Sequence, residues 1–122
     1  MDIRIKRVYD PADPNDGVRV LVDRVWPRGL RKEAVGADLW LKDVAPSTSL
    51  RTWFGHDPAK WEAFKARYFA ELADQAGAVA QLLDAAANGT VTLLYSARDT
   101  EHNQAVALKE YLLLRAAGPA GH

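Results

Sequence analysis

Two short stretches of this sequence concentrate the residue types that do chemistry. The first, Asp23-Arg-Val-Trp-Pro-Arg-Gly29, sets Arg24 and Arg28 around a Trp-Pro pair. Proline fixes its own φ and holds the residue before it extended, so the backbone that carries Arg28 is stiff. A guanidinium fork matches the paired oxygens of a carboxylate or phosphate, which makes an anion the natural partner. The second stretch, Ser96-Ala-Arg-Asp-Thr-Glu-His-Asn103, places Arg98, Asp99, His102 and Asn103 just ahead of a predicted helix. Unpaired N–H groups and the positive end of the dipole at a helix start favour an anionic group. His102 is the proton-transfer candidate, because imidazole titrates near neutral pH, and Asp99 or Asn103 would orient it. Plain structural readings stand beside these: Asp23 and Arg24 in ion pairs, Trp26 as a plug at the core edge, Asp99 as a helix cap.

A third segment, Lys42-Asp-Val-Ala-Pro-Ser47, would add the charge of Lys42. His56 sits beside Trp53, Phe54 and Trp61, and its simplest role is to pack on an aromatic neighbour in support of the site. His56, Asp57 and His102 lack any recognised metal-ligand spacing, so no metal is expected. The sequence has no G-x-G-x-x-G, no G-x-x-x-x-G-K, no H-E-x-x-H and no G-x-S-x-G, so no nucleotide cofactor is indicated. Ser96 lacks the flanking glycines of a nucleophile elbow. Cysteine is absent, which removes disulfides, thiolate ligands and thiol nucleophiles.

These loops need strands and helices to hold them. Ile3, Ile5 and Val8 alternate with Arg4, Lys6 and Arg7, the pattern of a strand with one buried face. Asp10 to Gly17 is a loop by composition, and Val18 to Val25 reads as a second, interior strand. Leu30 to Gly36 suits a short helix or turn, and Leu39 to Val44 a third strand. Ser47 or Thr48 is placed to cap a helix through Phe54, and Asp57-Pro58 is a strong start for the next. That helix carries Trp61, Phe64, Tyr68 and Leu72 on one face, with Gly77 as its expected interruption before a segment burying Val79, Leu82, Leu83 and Ala86. Asn88-Gly89 ends the helices, Thr90 to Tyr95 is the clearest strand, and Asp99 or Thr100 would cap a last helix with Ala105, Leu108 and Leu112 inward.

Alternating strands and helices predict one α/β domain over 1–116, built on a mostly parallel sheet flanked by helices, with 117–122 as a fraying tail. The first connection is too short for a comfortable helical crossover, which leaves the direction of the first strand open. In an open sheet of this kind ligands bind beyond the carboxyl ends of the strands, where these loops fall.

The chain has 122 residues, 48% hydrophobic and 26% charged, as in ordinary globular proteins. Its 16 basic and 16 acidic residues cancel, so no whole-molecule field draws it to nucleic acid. No apolar run reaches the roughly 20 residues of a membrane span, and the start Met-Asp-Ile-Arg-Ile-Lys lacks a signal-peptide layout. A cytoplasmic protein without membrane partners is the expectation.

Lys6-Arg-Val-Tyr-Asp10, Asp16-Gly-Val-Arg-Val-Leu-Val-Asp-Arg-Val-Trp-Pro-Arg-Gly29, Trp40-Leu-Lys42, Ala45-Pro-Ser47, Trp53-Phe-Gly-His56 and Thr92-Leu-Leu-Tyr95 with Arg98-Asp99 and His102-Asn103 resemble the YeaO-like family. This is a compact branch of the bacterial domain-of-unknown-function family 488. The resemblance implies a three-layer α/β sandwich and no established activity. Longer relatives carry an Asp-Val-Arg stretch after one strand, which Asp23-Arg24 matches in position, and a Cys-x-Glu then Cys-His-Arg pattern after a later one. Tyr95, Ser96, Ala97 and His102-Asn103 occupy that second region, and only the histidine carries over.

The leading expectation is a small enzyme, or an enzyme-like ligand-binding domain, acting on a phosphate- or carboxylate-bearing molecule. Arg24, Arg28, Lys42, Arg98 and Asn103 would bind the anion, His102 with Asp99 would do acid–base work, and Asp23, Trp26 and His56 would support them. Nucleic-acid binding or regulation through the basic N-terminal third, and a non-catalytic partner-binding module, are the alternatives.

Overall fold

Among the described residues four strands form one sheet: β1 (Asp2–Arg7), β2 (Val18–Leu21), β3 (Leu39–Trp40) and β4 (Thr90–Tyr95). Five α-helices among the described residues cover it: α1 (Lys32–Val35), α2 (Thr48–Phe54), α3 (Trp61–Ala73), α4 (Ala76–Asn88) and α5 (Gln104–Ala116). The computed structural model describes residues 1–118. The strand order is β1-β4-β2-β3, and every neighbouring pair is parallel. β4 therefore lies inside the sheet, and Val91 to Tyr95 are all buried. A strand covered on both faces has no polar side to show, which is why this segment reads as a near-continuous apolar run.

β1 runs parallel to β2 with β4 between them, which resolves the direction that the sequence leaves open. The link from β1 to β2 returns along the sheet as an extended loop with a single 3-10 turn, Pro14–Asp16. Asp13 and Asp16 cap that turn reciprocally: the Asp13 carboxylate accepts from the Asn15 N–H, and the Asp16 carboxylate accepts from the Asp13 N–H. Asp16 is buried, and Lys6 (2.9 Å) and Arg19 both donate to it. Burial raises the Asp16 pKa, but these cations and the Asp13 N–H outweigh it and hold the carboxyl below its ordinary range. Gly17 (φ 66°) lies so close to β4 that a Cβ there would stand 2.1 Å from the Thr90 carbonyl oxygen.

The two faces of the sheet are covered unequally. On one, Ile3, Val20, Val91 and Leu93 pack against α2 to α5 through residues such as Phe64, Tyr68, Leu82 and Leu108. On the other, Val8, Leu21 and Leu94 are covered by Val35 of α1 together with Trp26, Leu30 and Trp40. The expected α/β sandwich on a parallel sheet is thus present, with a thick helical layer and a thin third one. Among the described residues no helix is long and apolar enough to cross a membrane.

Several boundaries differ from the sequence expectation, each for a local reason. β2 stops at Leu21 instead of Val25: Val22 still donates to Leu94, but the Asp23 carbonyl is taken by the Trp40 indole at 2.7 Å. β3 holds only Leu39 and Trp40 before a 3-10 turn at Lys42–Val44. α3 and α4 part at Asp74-Gln75, whose N–H groups bond back to Glu71 and Leu72, so Gly77 lies inside α4. Ser47 caps α2, its hydroxyl accepting from the Leu50 N–H at 3.1 Å. The cap of α5 is Asn103, where Asp99 or Thr100 was expected. Of the expected tail 117–122, Ala117 and Gly118 bond back to Leu113 and Arg115, and 119–122 lie outside the described residues.

Candidate functional site

The chain leaving β2 crosses to α1 on the thin face, whereas the chain leaving β4 enters α5 on the thick face. β2 and β4 are neighbours, so their outgoing segments diverge and a crevice opens between their carboxyl ends. That crevice has a volume of about 820 Å3, and both the 23–28 and the 96–104 segments line it.

Asp23 is the hinge of the crevice. Its carboxylate accepts from the Ser96 hydroxyl at 2.5 Å and from the Gln104 amide, which ties the end of β2 to the segment after β4. Burial raises the Asp23 pKa, and this outweighs the lowering by Ser96, Arg51 and Gln104. On the β4 side, Arg7 of β1 clamps the exit by donating to the carbonyls of Ala97 (3.0 Å) and Ser96 (3.3 Å).

The predicted arginines have separate fates. Arg24 lines the crevice, but its guanidinium donates to the carbonyls of Pro46 and Ala45, both at 3.1 Å, so it fastens the segment after β3. Arg28 and Arg98 line the crevice and are exposed, with no ion pair among the described residues. Lys42 is not brought to the crevice; its ammonium sits 4.1 Å from the centre of the Trp40 ring. Trp26 lines one wall, with its indole N–H bonded to the Leu30 carbonyl at 2.7 Å and its ring edge-on to Trp40.

In the segment after β4, Asp99 organises a turn. Its carboxylate accepts from the N–H groups of Glu101 (2.9 Å) and His102 (3.0 Å), and the His102 ring Nδ1 lies 3.0 Å from it. These bonds hold the Asp99 carboxyl below its ordinary pKa. His102 lines the crevice with its ring edge-on to Trp61, 5.3 Å between centroids. Asn103 is buried, and both ends of its amide are used: Oδ1 accepts from the Val106 N–H and Nδ2 donates to the Asp99 carbonyl. Its polar atoms serve the start of α5. His56 reaches the crevice from the turn after α2, at φ 57°.

Arg51 and Gln104 are among the lining residues that escaped sequence reasoning. Arg51, exposed on α2, brings a third guanidinium without an ion pair, and Gln104 completes the Asp23 contacts. In sequence Arg51 resembles any surface cation; only the docking of α2 beside the β2 exit distinguishes it. The cations of the N-terminal third are largely spent inside the molecule: Arg4 on Asp2, Lys6 and Arg19 on Asp16, and Arg7 and Arg24 on carbonyls. Among the described residues no cluster of His, Asp and Glu side chains converges to hold a metal.

A family model described as the inactive DUF488-N3 subclade matches residues 2–119. The chain belongs to this DUF488 subclade. It is 45% identical over 112 residues to the uncharacterized protein YeaO of Escherichia coli (strain K12), covering 92% of this chain and 97% of YeaO. It is also 43% identical over 110 residues to Rv3073c of Mycobacterium tuberculosis (strain H37Rv), covering 90% of this chain and 92% of that relative. No solved structure matches it significantly. The DUF488 match places the YeaO-like resemblance of the Val-Trp-Pro-Arg-Gly stretch on a whole-chain footing.

Proposed function

We propose that this DUF488 protein binds an anionic small molecule in the crevice between the β2 and β4 exits, and holds it without turning it over. One observation carries the reading: Arg28, Arg51 and Arg98 reach the same crevice from three different segments, and none is in an ion pair among the described residues. Guanidinium groups left free in a concave site suit a phosphate or carboxylate, whose oxygens they meet in pairs. Two common nucleophiles are out of play, which favours binding over catalysis. Cysteine is lacking, and the Ser96 hydroxyl is committed to Asp23. The family description as an inactive subclade points the same way. Calorimetric titration with inorganic phosphate tests the reading. Binding by the wild type, weakened about tenfold or more in Arg28→Ala and in Arg51→Ala, is expected, since one charge-assisted contact is worth roughly 1.5–3 kcal/mol. No binding, or equal binding by all three proteins, would overturn it.

A second reading has its own observation. The contact of His102 Nδ1 with Asp99 orients the imidazole, as a general acid or base requires. Turnover of a phosphate or carboxylate ester that disappears in His102→Gln would select catalysis instead.

A further inference from the structure

The crevice is much larger than a bare oxyanion. At about 820 Å3 it falls within the range of sites that enclose most of a drug-sized molecule. Its lining is also partly apolar. Val25, 61% exposed, joins Pro27, Pro46 and Ala97 in an apolar lining, backed by the Phe54–Phe64 stack. A lone phosphate on the arginines would leave the Val25 side chain in water, and its burial is where further affinity lies.

His56 supplies a second sign. It is the one non-glycine residue with positive φ among the described residues, at 57°, and follows Gly55 at 53°. A side chain strains this backbone region, which glycine would occupy freely. The strained position nevertheless presents an exposed imidazole ring to the crevice. The positive φ thus turns the His56 ring toward a concave site, where it is available to a ligand.

We propose that the ligand of this crevice is an aryl oxyanion, a flat apolar ring carrying one phosphate or carboxylate group. Arg28, Arg51 and Arg98 hold the charged end, while Val25 and His56 contact the ring. This inference rests on the anion-binding reading above and narrows it to a ligand class.

Calorimetry with inorganic phosphate, phenyl phosphate, phenylacetate and phenol separates the two. The expected result is an aryl oxyanion binding at least about tenfold tighter than inorganic phosphate, the gain from burying one ring, and well above phenol. Whichever of phenyl phosphate and phenylacetate binds more tightly identifies the charged group. Val25→Ser and His56→Gly alter surface positions, and the second relieves backbone strain. Both should weaken the aryl oxyanion severalfold and leave inorganic phosphate within about twofold. Phosphate binding that depends on Arg28, with neither aryl oxyanion any tighter, overturns this inference and leaves the anion-binding reading standing. Binding of neither phosphate nor the aryl oxyanions overturns both. Phenol binding as tightly as phenyl phosphate removes the role of the arginines.

Discussion

The Ser96 hydroxyl donates to the Asp23 carboxylate at 2.5 Å across a separation of 73 positions in the chain. With the Gln104 amide on the same carboxylate, this bond ties the exits of β2 and β4 to each other, at the point where their onward chains part to opposite faces. The carboxyl that receives it is buried, and burial raises its pKa despite Ser96, Arg51 and Gln104.

A raised folded-state value fixes the direction of a pH effect. The unfolded chain releases the Asp23 proton near 3.8, before the folded chain does, so Asp23 costs stability as pH rises from there through its folded value. Asp23→Asn keeps an acceptor and cannot ionise. Urea unfolding of the two proteins should give similar stabilities at pH 3, then a widening advantage for the variant that levels off once Asp23 is ionised in both states. Parallel curves across that range would refute the assignment.

Asp99 works in the opposite sense. Its pKa is lowered by the N–H groups of Glu101 and His102 and by the His102 ring, so its contribution is present above 3.8 and lost as pH falls through the lowered value. Asp99→Ala should flatten the acid side of the stability curve. It should also speed amide exchange at Glu101 and His102, while amides of β4 keep wild-type protection. Unchanged exchange at those two amides would show that the turn does not depend on Asp99.

Arg24 is predicted to act as a fastener. Arg24→Met retains the stem but removes both bonds to Ala45 and Pro46. Chemical denaturation should register a loss of about 1–3 kcal/mol, because two carbonyls lose their donors. Arg24→Lys, with a point charge in place of a fork, should recover less than half of this. If Arg24→Met instead abolishes anion binding at wild-type stability, Arg24 contacts the ligand.

Gly17 gives the sharpest stability test. A Cβ at that position meets the Thr90 backbone at 2.1 Å, and φ is 66°. Gly17→Ala should therefore cost about 3 kcal/mol or more, from overpacking plus strain. Gly77→Ala, inside α4 where a Cβ meets nothing within 4 Å, should stabilise by about 0.5–1 kcal/mol. Thermal melts of the two variants provide the comparison.

Much of the fold was legible because local pattern and global role agree. The run from Thr90 to Tyr95 is apolar because it lies inside a parallel sheet, and Trp61, Phe64, Tyr68 and Leu72 keep helical spacing because one face of α3 meets the core. Limits set by distant partners were not legible. β2 ends early because Trp40 claims the Asp23 carbonyl, and no property of residues 18–25 announces that. The site divides in the same manner. Arg28, Arg98 and His102 could be named from loops and helix starts, and the crevice gathers them. Arg24, Asn103 and Lys42 could be named as polar, but what each bonds depends on Pro46, Val106 and Trp40, which only the folded chain brings near. Arg51 was invisible for the converse reason: nothing in its own neighbourhood sets it apart.

The place of β4 in the sheet has a consequence for how the molecule is made. Of the four described strands β4 is synthesised last, yet it carries the ladders to both β1 and β2, with Asp2 paired to Thr90 and Val18 to Val91. A nascent chain that has not yet emitted Tyr95 can join β2 to β3 but has no seat for β1. Assembly must then wait on contacts of long sequence separation, which are slow to form and leave apolar strands exposed meanwhile. The same strand whose exit helps shape the crevice is thus the keystone of folding, and a ribosome stalled before it holds a chain with no crevice at all.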